Sequence, residues 1–131
     1  GGAGMAAMEG AAVMERVIRG NVSFGSGGDV GGSGVFDSSQ VVRMIRGRQS
    51  AFRRCYENAL RNNPSLAGRV TVGFTIQPRG NVSGARATSN TTGDAGLASC
   101  VVRVISSLRW REGPEGGSVN FSYPFIFAPQ N

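Results

Sequence analysis

Apolar residues recur at every second position in two stretches of the chain, residues 69–77 and residues 118–127. This period is typical of a strand with one buried face and one solvated face. The predicted buried face consists of Val70, Val72, Phe74 and Ile76 in the first stretch and Val119, Phe121, Tyr123, Phe125 and Phe127 in the second. After the first stretch, Pro-Arg-Gly-Asn at residues 78–81 predicts a turn, and residues 82–88 return as a weaker second strand.

Apolar residues at three- and four-residue spacing predict two helices. Asp37 is a good N-cap for the first helix, and Pro64 ends it because the residue before a proline is driven out of helical geometry. Asp94 caps the second helix. The predicted inward stripes are Val41, Ile45, Phe52, Cys55, Tyr56, Ala59 and Leu60 in the first helix and Leu97, Cys100, Val101, Val104 and Leu108 in the second.

The order of the predicted elements is helix, hairpin, helix, strand. A right-handed crossover that buries the apolar faces places the third strand beside the first. We therefore predict an α+β fold, in which a three-stranded antiparallel sheet has the strand order 2-1-3 and two helices pack on one of its faces. The opposite face carries threonine, serine, asparagine and arginine, and we expect it to be solvated.

The first quarter of the chain differs in composition from the rest. We divide the sequence into an N-terminal segment with a glycine-rich linker, residues 1–34, and one folded domain, residues 35–131. Within the segment, residues 5–19 fit a short helix, residues 17–24 fit a strand, and periodicity does not decide between them; residues 25–34 are predicted to be a flexible tether. No apolar run reaches the ~20 residues of a membrane span, so we expect any anchor to lie outside this sequence.

The chain carries a net charge of +6, and its fourteen basic residues are all arginine. A group of them falls on the polar side of the first helix: Arg43, Arg46, Arg53, Arg54 and Arg61. We interpret this group first as a solvated helix surface, because arginine is spread along the whole chain, and second as a face for an acidic envelope partner. Nucleic acid is not an expected partner, because the strand motifs of RNA-binding domains are missing and the strand aromatics are predicted to face the core.

Histidine and lysine are absent from the sequence. Their absence excludes Ser-His-Asp and Cys-His catalysis, Ser-Lys dyads and Schiff-base chemistry, and it removes the commonest metal ligand. Eight acidic residues remain, and they are scattered. We therefore expect no catalytic residues, no metal site and no cofactor, and we expect that the protein is not an enzyme.

The two cysteines, Cys55 and Cys100, fall on the predicted inward stripes of different helices. Two helices side by side on one sheet face bring such positions within bridging distance, so a disulfide is the favoured interpretation, and two reduced core thiols are the alternative. Two cysteines without histidine do not complete a tetrahedral zinc site, and their separation excludes a Cys-x-x-Cys motif. A disulfide implies an oxidising compartment.

Three blocks of sequence together resemble the TonB C-terminal-like domain of the AgmX/PglI gliding-motility type. They are FRRCYENALRNNPSLAGRVTVGFTIQPRGNV, LASCVVRVISSL and GGSVNFSYPFIFAP. The resemblance implies a periplasmic domain of a protein that is tethered to the inner membrane and serves energy transduction in transport or gliding motility. Its implied partners are an inner-membrane proton-channel motor complex and an outer-membrane or periplasmic protein segment. It also implies that Cys55 and Cys100 are the paired cysteines of the family.

The third predicted strand is the expected docking site for such a partner. Pro124 has no N–H to give to a ladder, so we predict an edge strand, and residues 118–127 carry no charge to protect that edge. An extended partner segment is expected to add as a further strand, as the resemblance also implies. The predicted partner-binding residues are Val119, Asn120, Phe121, Ser122 and Tyr123. Two alternatives are that residues 17–24 of the same chain cover the edge, or that a second copy forms a homodimer there.

The functional prediction is thus a non-catalytic protein-interaction module of the cell envelope. The alternative is a basic nucleic-acid-binding or cell-wall-binding module that uses the helix arginines. The redox state of the cysteines distinguishes two of these functions. A reduced cytosolic thiol pair favours the nucleic-acid binder, whereas a disulfide favours the envelope module.

Overall fold

The computed structural model describes residues 22–24 and 28–129 of the chain. The elements are β1 (Val22–Phe24), β2 (Gly28–Gly31), α1 (Ser38–Gly47), α2 (Gln49–Asn62), β3 (Gly68–Ile76), β4 (Val82–Asn90), α3 (Ala95–Ser106) and β5 (Val119–Phe127). The predicted α+β fold is confirmed, since β4, β3 and β5 are antiparallel neighbours in that order, which is the predicted order 2-1-3. In the part that the structure describes, no helix is long and apolar enough to cross a membrane.

The predicted inward faces of β3 and β5 form the centre of the core. Their alternate residues are at most 1% exposed, as predicted: Val70, Val72, Phe74, Ile76, Val119, Phe121, Tyr123, Phe125 and Phe127. Helix α2 packs across them through aromatic pairs, with ring centroids 4.7 Å apart for Phe52 and Phe125 and 5.0 Å apart for Tyr56 and Phe127. Such pairs contribute beyond the burial of their area because edges and faces of rings attract each other.

Tyr56 connects the core to the loop that follows α2. Its hydroxyl donates a hydrogen bond of 2.6 Å to the backbone carbonyl of Leu66, so the polar end of a buried ring is satisfied. Burial disfavours the phenolate and raises the pKa of Tyr56 to about 12. The short turn through Pro64 is thereby held against the base of β3.

The predicted first helix is in fact two helices. Gly47 ends α1, and Arg48 has φ −107° and ψ 22°, outside helical geometry, before α2 begins. Glycine weakens a helix interior because it loses the most backbone freedom on ordering. The inward stripe nevertheless continues in phase across the break from Ile45 to Phe52, both fully buried.

Both predicted N-caps are confirmed. The Ser39 backbone N–H donates to Asp37 Oδ1 at 2.9 Å, and the Leu97 N–H donates to Asp94 Oδ1 at the same distance. These bonds satisfy backbone donors that have no partner inside the helix. The caps therefore fix where α1 and α3 leave the preceding loops.

The sheet is wider than predicted, because two strands of the N-terminal segment add to β5. Strand β1 pairs antiparallel with Phe125–Phe127, and β2 pairs antiparallel with residues 120–122. The predictions that β5 is an edge strand and that Gly28–Gly31 belong to a flexible linker are therefore wrong. The alternative that the chain's own segment covers this edge is confirmed for Val22–Phe24, and the sheet extends across the predicted boundary between residues 34 and 35. The predicted helix at residues 5–19 lies outside the described residues.

Pro124 lies between the residues of β5 that pair with β2 and those that pair with β1. Its partner in β3 is Thr71, and among the described residues the pairing of β2 extends to Ser122 and that of β1 to Phe125. The missing N–H of Pro124 belongs to the side of β5 that faces away from β3, so the ladder with β3 loses no donor. The reasoning from proline was therefore correct about the missing donor and wrong about the edge.

Candidate interaction surface

The side of β5 that faces away from β3 is here called the outer edge, and its backbone groups define the candidate site. The Gly34 N–H donates to the Ser118 carbonyl at 2.9 Å, so the Ser118 carbonyl points to this side. Backbone groups of a strand alternate between its two edges. The outer edge is therefore formed by the N–H and C=O groups of Asn120, Ser122 and Ile126, together with the carbonyl of Pro124.

The chain is attached firmly just after β2. Besides the bond from Gly34, Val35 and Glu115 exchange two backbone hydrogen bonds of 2.8 and 3.1 Å. Gly32 has φ 107° and approaches β5 so closely that a Cβ there would meet the Ser118 carbonyl oxygen. Only glycine combines this conformation with this approach. The attachment places the preceding residues, those of β2, alongside β5.

The five residues predicted to bind a partner divide into two groups. Val119, Phe121 and Tyr123 point into the core and are at most 1% exposed, so they hold β5 in place and offer no side chain to a partner. Burial raises the pKa of Tyr123, and the nearby positive charge of Arg46 opposes the shift. Asn120 and Ser122 are half-buried on the solvated face of the sheet.

On that solvated face, Asn120 is already engaged. The Thr75 hydroxyl donates to Asn120 Oδ1 at 2.7 Å, which ties β3 to β5 on the side opposite the helices. Ser122 lies across from Gly73, and Ile126 is 40% exposed. Recognition along this edge therefore depends on the backbone, with little side-chain selection.

The predicted disulfide is confirmed. Cys55 in α2 and Cys100 in α3 are bonded, with their Cα atoms 5.7 Å apart. This separation lies within the range that a disulfide requires. The bridge connects the two helices on the covered face of the sheet, away from the outer edge of β5.

The helix arginines form a charged surface. Arg43, Arg46, Arg54 and Arg61 are exposed and Arg53 is half-buried. The exposed guanidinium groups are solvated, so their charges add little to the stability of the fold.

We expect the double substitution Arg43→Glu with Arg54→Glu to change the free energy of unfolding by no more than about 0.5 kcal/mol, as for other exposed positions. Chemical denaturation measures this change, with Arg43→Gln and Arg54→Gln as the matched control that removes charge without reversing it. The nucleic-acid-binding alternative would be favoured by a different result. In that case the protein would bind single- or double-stranded nucleic acid in the micromolar range at physiological salt, and the charge reversal would abolish this binding.

Of the two strands that occupy the outer edge, sequence reasoning offered β1 as one alternative and missed β2. Residues 28–31 read Gly-Asp-Val-Gly, and neither their composition nor their periodicity indicates a strand. Residues 22–24 read Val-Ser-Phe, a short alternation that fits a strand and was one of two interpretations of that region. Among the described residues there is no group of three or more histidine, cysteine or acidic side chains arranged to hold a metal ion.

The arrangement can thus pair with an extended backbone segment, and it does so with a segment of its own chain. Comparison with protein-family models, with curated proteins and with solved structures finds no match for this chain.

Proposed function

We propose that this domain is a non-catalytic protein-interaction module of the periplasm. In this proposal it belongs to a TonB-like or gliding-motility envelope protein, and it couples a proton-driven motor complex of the inner membrane to an envelope partner. The observation that carries the proposal is the outer edge of β5, which pairs with an extended segment through backbone hydrogen bonds.

Two further observations support the proposal. The strand order of the central sheet agrees with the α+β fold that the sequence pattern predicts. The bond between Cys55 and Cys100 suits an oxidising compartment, since disulfides persist in the periplasm and are rare in the cytosol.

The packing of β5 suits a strand that transmits force. Its backbone pairs with β3 along its whole length, from Val119 opposite Ile76 to Phe127 opposite Gly68. Its alternate side chains are buried against α2 and the sheet, where Phe125 and Phe127 contact aromatic rings of the helix. A partner segment added along β5 would therefore pull on a strand that the core holds on its other side.

The proposal is tested by placing a photoreactive amino acid at Ser122 in the protein as it occurs in cells. The matched control is the same amino acid at Ser99, an exposed position on α3. We expect light to attach an extended segment of an envelope protein at position 122 and not at position 99, and we expect a protonophore to change the amount of this adduct. Equal adducts at both positions, or adducts that do not respond to the proton gradient, would contradict the proposed coupling.

A further inference from the structure

We infer that β1 and β2 are internal occupants of the outer edge of β5, and that a partner's extended segment binds by displacing them. This inference rests on the proposed function for the identity of the partner. The displacement itself is a property of the chain that is measurable in the isolated protein.

The two edges of β5 differ in the regularity of their pairing. Strand β3 follows β5 without interruption. On the outer edge, the described pairing covers residues 120–122 and residues 125–127, and the register of β2 shifts between Asp29 and Gly31. Pairing with a register shift is weaker than a regular ladder, so a partner strand in regular register would pair with this edge more strongly than β2 does.

The composition and length of β1 and β2 make them weak strands. Two of the four residues of β2 are glycine, which loses the most conformational freedom on entering a strand and packs no side chain. Strand β1 has only three residues. Both occupants therefore belong to the least stable part of the sheet.

Strand β5 is held in place mainly by β3 and α2. Its inward side chains are buried, and Phe121 stacks on Phe74 of the neighbouring β3 with ring centroids 6.1 Å apart. Helix α2 covers Phe125 and Phe127 from the same face. If β1 and β2 left, backbone groups of β5 would be exposed and the contact of β1 with α2 would be lost, while the contacts of β5 with β3 and α2 would remain.

A pair of glycines at the end of β2 is placed to act as a hinge. Gly31 and Gly32 have φ values of 143° and 107°, and the firm attachment through Gly34 and Val35 follows directly. Rotation at the two glycines would move β2 and β1 away while the attachment holds. The occupants would stay tethered beside the edge, where their high effective concentration protects it until a partner competes.

The other edge of the sheet is a poor alternative docking site. The pairing of β4 with β3 has two register shifts, and Gly84 in β4 has φ 63°. Bulges of this kind twist an edge strand and hinder the addition of a further strand. The inferred partner is thus an extended protein segment that runs antiparallel to β5 and has N–H groups opposite Asn120, Ser122 and Ile126.

Amide hydrogen exchange on the unmodified chain is the first test. We expect the outer-edge amides of Asn120, Ser122 and Ile126 to exchange about 100-fold faster than those of Phe121 and Phe125, which face β3, because the occupants open without global unfolding. Equal protection of the two sets would mean that β1 and β2 leave only when the whole domain unfolds, and it would overturn the inference.

Proline variants provide the second test. Ser23 and Gly28 lie opposite Ile126 and Ser122, whose backbone groups point to the outer edge, so Ser23→Pro with Gly28→Pro removes two ladder donors. Val22→Pro with Asp29→Pro is the matched control. Val22 and Asp29 lie opposite Phe127 and Phe121, whose backbone groups point to β3. The N–H groups of Val22 and Asp29 therefore point away from β5, and replacing these residues with proline removes no donor from the ladder.

The probe is a synthetic peptide of alternating threonine and valine, as long as β5 and with a lysine at each end. We expect it to bind the first variant about tenfold more tightly than the control variant, because the tethered competitor is weakened. Equal affinities would overturn the displacement. A positive result here together with a failed crosslink at Ser122 in cells would reject the proposed function alone.

Discussion

Replacing Phe125 with alanine is expected to lower the free energy of unfolding by about 3–5 kcal/mol, the range for truncating a buried phenylalanine. Phe125 is fully buried, its ring lies 4.7 Å from that of Phe52, and it also contacts the ring of Tyr123 at 5.4 Å. The substitution leaves a cavity between α2 and the sheet that the surrounding backbone cannot close. Chemical denaturation monitored by circular dichroism measures the loss.

The next residue in the strand provides the control. Ile126 is 40% exposed on the solvated face, so Ile126→Ala should cost less than about 1 kcal/mol. Similar losses for the two neighbours would contradict the alternation that places β5 in the sheet. If Phe125→Ala alone lowers the free energy of unfolding strongly, the face of β5 that carries Phe125 is the one buried in the core.

Removing the disulfide is expected to cost about 4 kcal/mol, because the bridge closes a loop of 45 residues and restricts the unfolded chain. The double substitution Cys55→Ala with Cys100→Ala tests this in thermal or chemical denaturation. The single substitutions are not a suitable control, since each leaves a free thiol that can pair between molecules.

Thiol labelling of the unmodified protein is the companion measurement. Neither cysteine should react with a maleimide before reduction, and both should react after reduction and denaturation, with a mass change for two thiols. Stability unchanged by the double substitution would show that the packing of α2 against α3 holds the helices without the bond.

Strands β3 and β5 could be predicted because polarity alternates along them, with Ile126 as an exposed apolar exception. Valine, phenylalanine and isoleucine alternate with threonine, arginine and glycine in β3, so only one face can be buried. The phase of α3 was harder to predict, because most of its residues are apolar or small. The sequence pattern placed Val104 on the inward stripe, whereas the structure fully buries Ile105 and leaves Val104 half-exposed.

Trp110 shows why the loop before β5 could not be predicted. It is 4% exposed, its indole Nε1–H donates to the Gln40 carbonyl at 3.2 Å, and its ring meets Phe36 edge to face at 5.8 Å. These contacts join residues far apart in the chain, and no local period indicates them. A buried residue outside a helix or strand is positioned by the tertiary structure alone.

The candidate site was predicted only in part, because the pairing of its outer edge is also a long-range contact. The aromatic side chains of β5 identified the strand and its buried face. Its outer edge pairs with a glycine-rich segment through backbone groups, which are the same in every residue and leave no pattern in the sequence. Whether the edge is open or covered therefore depends on long-range pairing that single-sequence reasoning can only state as alternatives.

The bond between Cys55 and Cys100 also limits how far the domain can be stretched. The β3–β4 hairpin lies inside the covalent loop, whereas β5 lies outside it. A chain pulled from its two ends can therefore release only the residues outside the loop, and the oxidised domain is shorter in contour length by about 150 Å than the reduced one, at 3.3–3.6 Å for each enclosed residue. Tension on the two ends of the oxidised chain can therefore separate β5 from β3, but it cannot draw out the β3–β4 hairpin itself.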